Sequence, residues 1–255
     1  ANPQVEVISR PARRSIFLAL GNKPGAPMAD IRVRKAMYMA IDEDEIIEKV
    51  MRGHATPAAQ IPDPPTIGYR EDLKRLPYDP AKAAALLKEA GYPDGLKVEL
   101  NAGADWSDVM RFAEILKEDA KPAGLDIEIK AMPVSQYWEK WTEVGLGITP
   151  WTHRALGTMV LNLAYGADAQ GQPVSWNETR WVDQEFNQLL NQANGTLDVS
   201  RRKEIFCKLE KIQQERGSIG NAYWMNIWQI HRNEVHGAEP HPTQYMLFNN
   251  VWKEA

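Results

Sequence analysis

Leu96-Lys97-Val98-Glu99-Leu100-Asn101, then residues 107–120, then Leu125-Asp126-Ile127-Glu128-Ile129-Lys130-Ala131 form the stretch that decides the fold. The first segment reads as a strand and the second as a helix. The third is a strand whose Leu125, Ile127 and Ile129 fall on alternate positions. A strand, a helix and a strand of this combined length imply a right-handed parallel crossover, and with it an α/β sheet.

Helix signals flank this unit. Asp30 caps a helix with Val33, Ala36, Met37, Ala40 and Ile41 on its inward face. Asp42, with Glu45 three residues on, opens a second helix that buries Ile46, Ile47, Val50 and Met51 and stops at Gly53. Residues 54–70 form a proline-rich loop. Asp79-Pro80 starts a third helix with Ala83, Leu86, Leu87 and Ala90 inward, and Gly91 and Pro93 end it. Ser135 caps a short helix carrying Tyr137, Trp138 and Trp141, and residues 145–182 break into short apolar pieces. Helices over 183–193 and 198–216 follow, the second burying Ile205, Leu209 and Ile212. Residues 15–20 read as a buried strand, and 218–255 return to strand-like and aromatic segments.

Composition removes several classes of function. The 255 residues allow one large domain or two small ones, and 44% hydrophobic with 25% charged residues is an ordinary globular balance. A single cysteine, Cys207, cannot form an internal disulfide, so the fold rests on its own core. The apolar runs at 16–20 and 159–163 are far short of the ~20 residues of a membrane helix. Net charge is −4, and the densest basic cluster is only Arg10, Arg13 and Arg14, so no nucleic-acid partner is expected. The opening Ala1-Asn2-Pro3-Gln4 lacks the basic and apolar segments of an export signal.

The sequence holds no Gly-x-Ser-x-Gly elbow, His-Glu-x-x-His, Cys-x-x-Cys or phosphate loop, so neither an enzyme nor a cofactor is expected. His231, His236 and His241 recur at a five-residue step that suits neither one helix face nor one strand face, so no metal site is expected. Cys207 reads as a structural thiol. Nine tryptophans stand out, several of them in the loop-rich stretch 137–181. Trp151, His153, Arg154, Tyr165, Trp176 and Asn177 are the candidate ligand-binding residues there: aromatic faces for stacking, Arg and Asn for orientation. Any single tryptophan here is better read as core, Trp138 and Trp141 on their helix especially; for Trp151, His153, Arg154 and Trp176 as a group the core and cleft readings both stay open.

Asp30-Ile31-Arg32-Val33-Arg34-Lys35-Ala36-Met37-Tyr38-Met39-Ala40-Ile41-Asp42 resembles the D-x-R-V-R-x-A-x-x-x-A-I-D segment of the family 5 extracellular solute-binding proteins, the dipeptide- and oligopeptide-binding receptors of ABC importers. Tyr78-Asp79-Pro80-Ala81-Lys82-Ala83 through Leu86-Leu87-Lys88-Glu89-Ala90-Gly91-Tyr92-Pro93-Asp94-Gly95 is similar to that family's second hallmark. Asp183-Gln184-Glu185-Phe186 with Leu189-Leu190, Arg202 and Leu209 matches its late helices. The resemblance implies an α/β, periplasmic-binding-protein-like second lobe (type II, cluster C) with a mixed sheet flanked by helices. It further implies a hinge or crossover strand over 1–20, the lobe over 21–217, and a tail over 218–255 returning toward a first lobe that is missing here.

The same resemblance implies hinge closure around a small-molecule or short-peptide solute and an ABC permease as membrane partner. It implies a periplasmic or extracellular location, with a signal or lipid anchor on the full-length protein. Peptide-binding relatives place an Asp a few residues after a Trp in this region. Here Trp151-Thr152-His153-Arg154 is followed by no carboxylate before Asp168. Arg154 in that position favours an acceptor-rich or anionic solute over a simple peptide. Two other readings remain open at this point, a ligand-sensing domain of a transcription regulator and an α/β hydrolase. The resemblance also leads us to expect that some of Tyr223, Trp224, Ile227, Trp228 and Trp252 are exposed or are buried by another copy of the chain.

Overall fold

The computed structural model describes residues 4–58, 75–152, 154, 156–241 and 245–254. Its main sheet is built from β1 (Val5–Leu20), β2 (Ala55–Pro57), β3 (Leu96–Gly103), β4 (Leu125–Met132), β5 (Leu146–Trp151) and β6 (Ile219–Arg232). The strand order is β2-β6-β1-β5-β3-β4. β3 runs parallel to both β4 and β5, while β1 is antiparallel to β5 and β6. The expected crossover is therefore present: the helix Ser107–Asp119 lies in sequence between the parallel pair β3 and β4. The sheet is mixed, as expected.

The helices are α1 (Ile31–Met39), α2 (Glu43–Met51), α3 (Pro80–Glu89), α4 (Ser107–Asp119), α5 (Val134–Lys140), α6 (Gly157–Tyr165), α7 (Gln184–Gly195) and α8 (Val199–Arg216). Asp30, Asp42, Asp79, Asp183 and Asp198 each accept a backbone N–H in the first turn of the helix they precede. Ser135 does not cap α5. Pro133 occupies that position, and the Val134 N–H donates to Asp105 Oδ2 at 3.0 Å. A carboxylate 29 residues away satisfies the helix end, so local sequence could not reveal it. α2 ends at Met51, and both Arg52 (φ 51°) and the expected stop Gly53 (φ 76°) are left-handed. Within 145–182, β5 and α6 are regular elements; α6 starts on a glycine without a side-chain cap, which hides it from sequence. The proline-rich loop opens with β2, and its residues 59–70 lie outside the described ones.

Alternate residues of the strands feed two cores. Leu18, Leu20, Leu146 and Ile148 join α1 to α4 in one, together with Val33, Met37, Ile46, Leu87, Phe112 and Leu116. Ala19, Trp151 and Ile219 join α6, α7 and α8 in the other, around Leu161, Phe186, Leu190 and Leu209. Helices thus cover both faces of the sheet, and each fully buried large side chain contributes roughly 1.5–3 kcal/mol.

Arg34, from the D-x-R-V-R segment, ties the two halves together. It is buried on α1, and its guanidinium donates to the carbonyls of Gly217, Arg216, Met28 and Ala29 and to Asn22 Oδ1, at 2.8–3.0 Å. Asp30 both caps α1 and pairs with Arg32. The family-like motif is therefore a capping and tethering device in this chain.

Beyond the sheet, Val5–Pro11 of β1 pairs with β6 alone, from Asn226 to Arg232, and forms a two-stranded ribbon. Of the large apolar tail residues, Tyr223, Trp224 and Ile227 are buried, whereas Trp228 and Trp252 are 43% and 57% exposed. The expected exposure holds for these two. Among the described residues no helix is long and apolar enough to cross a membrane.

Candidate functional site

The three parallel strands end side by side. β3 ends at Gly103 and leads to Trp106; β4 ends at Met132 and leads to Trp138 and Trp141 on and just after α5; β5 ends on Trp151 itself. Their carboxyl edge is consequently lined with indoles, in an edge-to-face row. Trp106–Trp138 and Trp138–Trp141 have ring centroids 5.3 Å apart. Trp141, Trp151 and Trp176 close a triangle with sides of 6.1–6.3 Å. These separations lie within the favourable range for aromatic pairs.

The row walls a cleft of about 370 Å³ lined by Trp138, Trp141, Thr149, Trp151, Arg154 and Trp176, with Pro150 and Thr152. Trp138 is 42% and Trp176 48% exposed, so both present open faces. Arg154 Nη1 donates to Thr152 Oγ1 at 2.7 Å, which holds the guanidinium beside the strand end. Glycine makes room for the wall at two places. A Cβ on Gly103 would stand 2.6 Å from the Trp106 ring, and one on Gly147 would stand 2.8 Å from the Tyr137 hydroxyl.

Behind the wall lies a buried carboxylate. Glu178 is 2% exposed; its Oε1 accepts from Trp151 Nε1 at 2.8 Å, and its Oε2 accepts from Thr149 Oγ1 at 2.5 Å. The Tyr137 hydroxyl lies 2.7 Å from the same Thr149 oxygen. Burial pushes the Glu178 carboxyl up to about 7, against the pull of these two hydrogen bonds. Burial and the nearby Glu178 likewise raise the Tyr137 phenol.

The turn that delivers Glu178 is fixed by Asn177. Its Nδ2 donates to the carbonyls of Trp181 (2.8 Å) and Gly166 (3.4 Å), and Thr179 Oγ1 donates to its Oδ1. Arg180 Nε donates to the Thr142 carbonyl, tying the turn to the segment after α5. Asn177 is thus fully buried in a backbone-holding role and does not line the cleft. Tyr165 is also fully buried, inside the second core. Trp151, Arg154 and Trp176 are brought together. His153 lies outside the described residues.

Sequence reasoning weighed Trp138 and Trp141 as core and passed over Thr149 and Glu178. The spacing of Gly147, Thr149 and Trp151 on one strand face could have found Thr149. Glu178 gave no signal, because its partners lie 27 and 29 residues away.

A larger groove of about 680 Å³ borders Lys97, Glu99, Lys130, Lys140 and Glu143. Lys97 and Lys130 there are both paired with Glu128. Among the described residues, no group of three His, Cys, Asp or Glu side chains could hold a metal ion. His236 pairs with Glu254, and His241 stacks on Tyr245.

A mixed sheet covered by helices on both faces, with a cleft at the carboxyl edge of its parallel strands, is the general architecture of open α/β ligand-binding domains. The solved structure of HbpA2 from Haemophilus parasuis has this fold, with a TM-score of 0.86 at 24% identity, covering 100% of this chain and 51% of that one. Heme-binding protein A of Haemophilus influenzae is 30% identical over 223 residues, 83% of this chain and 39% of that protein. Di/tripeptide-binding protein 1 of Pseudomonas aeruginosa is 28% identical over 222 residues, 82% of this chain and 40% of that protein. Residues 1–170 match the model of the bacterial extracellular solute-binding proteins, family 5 Middle. The chain belongs to that family. It spans about half the length, or less, of these relatives.

Proposed function

We propose that this chain supplies the second lobe of the solute-binding receptor of an ABC importer, and that the solute docks against the tryptophan wall. The observation that carries this reading is the position of the wall: it stands at the carboxyl ends of β3, β4 and β5, the place where open α/β sheets bind ligands. Family membership and relatives named for peptide and heme binding support the same reading. The exposed indole faces suit a flat or apolar portion of the solute, and Arg154 suits a carboxylate or another acceptor-rich group. In this reading the solute is a peptide-like or other small polar molecule with an anionic group. A first lobe closes over it, the receptor lies in the periplasm or outside the cell, lipid-anchored in its full length, and a membrane permease takes delivery. We read the chain as a binding protein and not an enzyme; no observation favours the regulator or the hydrolase.

Native mass spectrometry of the full-length parent, purified gently from its host, tests this by weighing any retained solute. A discrete added mass is expected, and Arg154→Ala or Trp176→Ala should weaken its retention at least tenfold. Retention unchanged in both variants would move the site away from this cleft. A parent that carries no adduct, even after exposure to peptide pools, would count against the receptor reading itself.

A further inference from the structure

Glu178 is an ionisable group in a place where only a specific role justifies it. Moving a carboxylate out of water costs several kcal/mol unless donors replace the lost hydration. Among the described residues no Lys, Arg or His forms an ion pair with Glu178. Its two oxygens are instead matched to the indole N–H of Trp151 and the hydroxyl of Thr149, both residues of the cleft. The chain of hydroxyls continues to Tyr137, whose ring packs edge-on against Trp106 and Trp138 at 5.7 and 5.8 Å. A single carboxylate therefore touches β5, which carries Trp151, directly and α5, which carries Trp138 and runs into Trp141, through one hydroxyl. The turn bearing Glu178 also carries Trp176, two residues away.

We propose that Glu178 is the positioning residue of the wall: its carboxylate fixes the Trp151 indole in the orientation that completes the Trp141–Trp151–Trp176 triangle, and registers α5 against β5 through Thr149 and Tyr137. The proposal rests on the reading of this cleft as the solute site. Its role is distinct from that of an apolar filler. Trp151 packs against Trp141 and Trp176 on its ring faces and edges, but those contacts do not specify which way the indole N–H points. An acceptor at 2.8 Å does specify it. Gln keeps one acceptor oxygen of the same reach, whereas Met fills a similar volume without a comparable acceptor.

The test needs no solute, so its result is independent of whether the receptor reading succeeds. Circular dichroism of the 255-residue chain reads the exciton coupling of the packed indoles. Glu178→Gln should retain the indole couplet, and Glu178→Met should lose it while keeping the helical signal and a cooperative unfolding transition. A couplet that survives in Glu178→Met would overturn the proposal, because packing alone would then hold Trp151. A second measurement covers the case in which Glu178→Met does not fold. With the Trp151 indole N–H resonance assigned by Trp151→Phe, its hydrogen exchange is followed in the wild-type chain and in Glu178→Gln. Slow exchange in both is expected. Exchange in the wild type as fast as that of the open Trp176 indole would equally overturn the assignment.

Discussion

At the scale of single residues, Glu178 also makes stability depend on pH. Its carboxyl titrates near 7 in the folded chain against an ordinary 4.5. Between these values the folded state keeps a proton that the unfolded state has released. The stabilising contribution of the protonated form is therefore fully present below pH 4.5 and is lost as pH rises through about 7. The wild type should lose roughly 3 kcal/mol across this window relative to Glu178→Gln, since each unit is worth about 1.4 kcal/mol. Burial raises Glu43 to about 8 and Asp119 to about 6, with the same sign, so the difference between the two proteins isolates Glu178. Urea unfolding from pH 4.5 to 8 checks this, and parallel stability curves would contradict it. This residue was the least legible in the sequence. It sits between Asn177 and Thr179 in an aperiodic turn, and only the fold places it under Trp151. Arg154 and Trp176 were legible because their residue types carry recognition chemistry wherever a loop presents them. Asn177 and Tyr165 looked the same in sequence but were absorbed by backbone carbonyls and by a core, respectively, which composition cannot distinguish.

At the scale of elements, β5 divides its duties by alternation. Leu146 and Ile148 enter one core, while Gly147, Thr149 and Trp151 face α5 and the 176–181 turn. Gly147 is required for the space it leaves: an added methyl would meet the Tyr137 hydroxyl at 2.8 Å and break its register with Thr149. Gly147→Ala should cost about 1–3 kcal/mol, as overpacking does. It should also shift the aromatic circular dichroism in the same sense as Glu178→Met; thermal unfolding and the near-ultraviolet spectrum check both. The parallel unit 96–131 was readable from its alternation and length, and the helix starts at Asp30, Asp42 and Asp79 from the hydrogen bond that a carboxylate offers to free N–H groups. α6 and the start of α5 were not, because one begins on glycine and the other is completed by Asp105 from a distant loop.

At the scale of the whole molecule, the ribbon and the tail expose many large apolar side chains. Val7, Trp228 and Ile230 on the ribbon, and Tyr245, Met246, Leu247, Phe248 and Trp252 beyond it, are all exposed. Patches of this kind seldom remain bare in water. The isolated 255-residue chain should therefore self-associate at micromolar concentration, and replacing Trp228 and Ile230 together by Lys should shift it toward monomer; sedimentation velocity measures both. A strictly monomeric wild type would show that these side chains tolerate solvent singly. The ribbon itself, Val5–Pro11 against Asn226–Arg232, has a mechanical meaning. Two strands joined by a ladder of hydrogen bonds resist sideways shear but bend easily across their thin dimension. In the receptor reading proposed above, a first lobe attached through such a strap would swing along one arc and return to one alignment, so the strap would set the path of the motion and leave its extent to whatever lies between the two lobes.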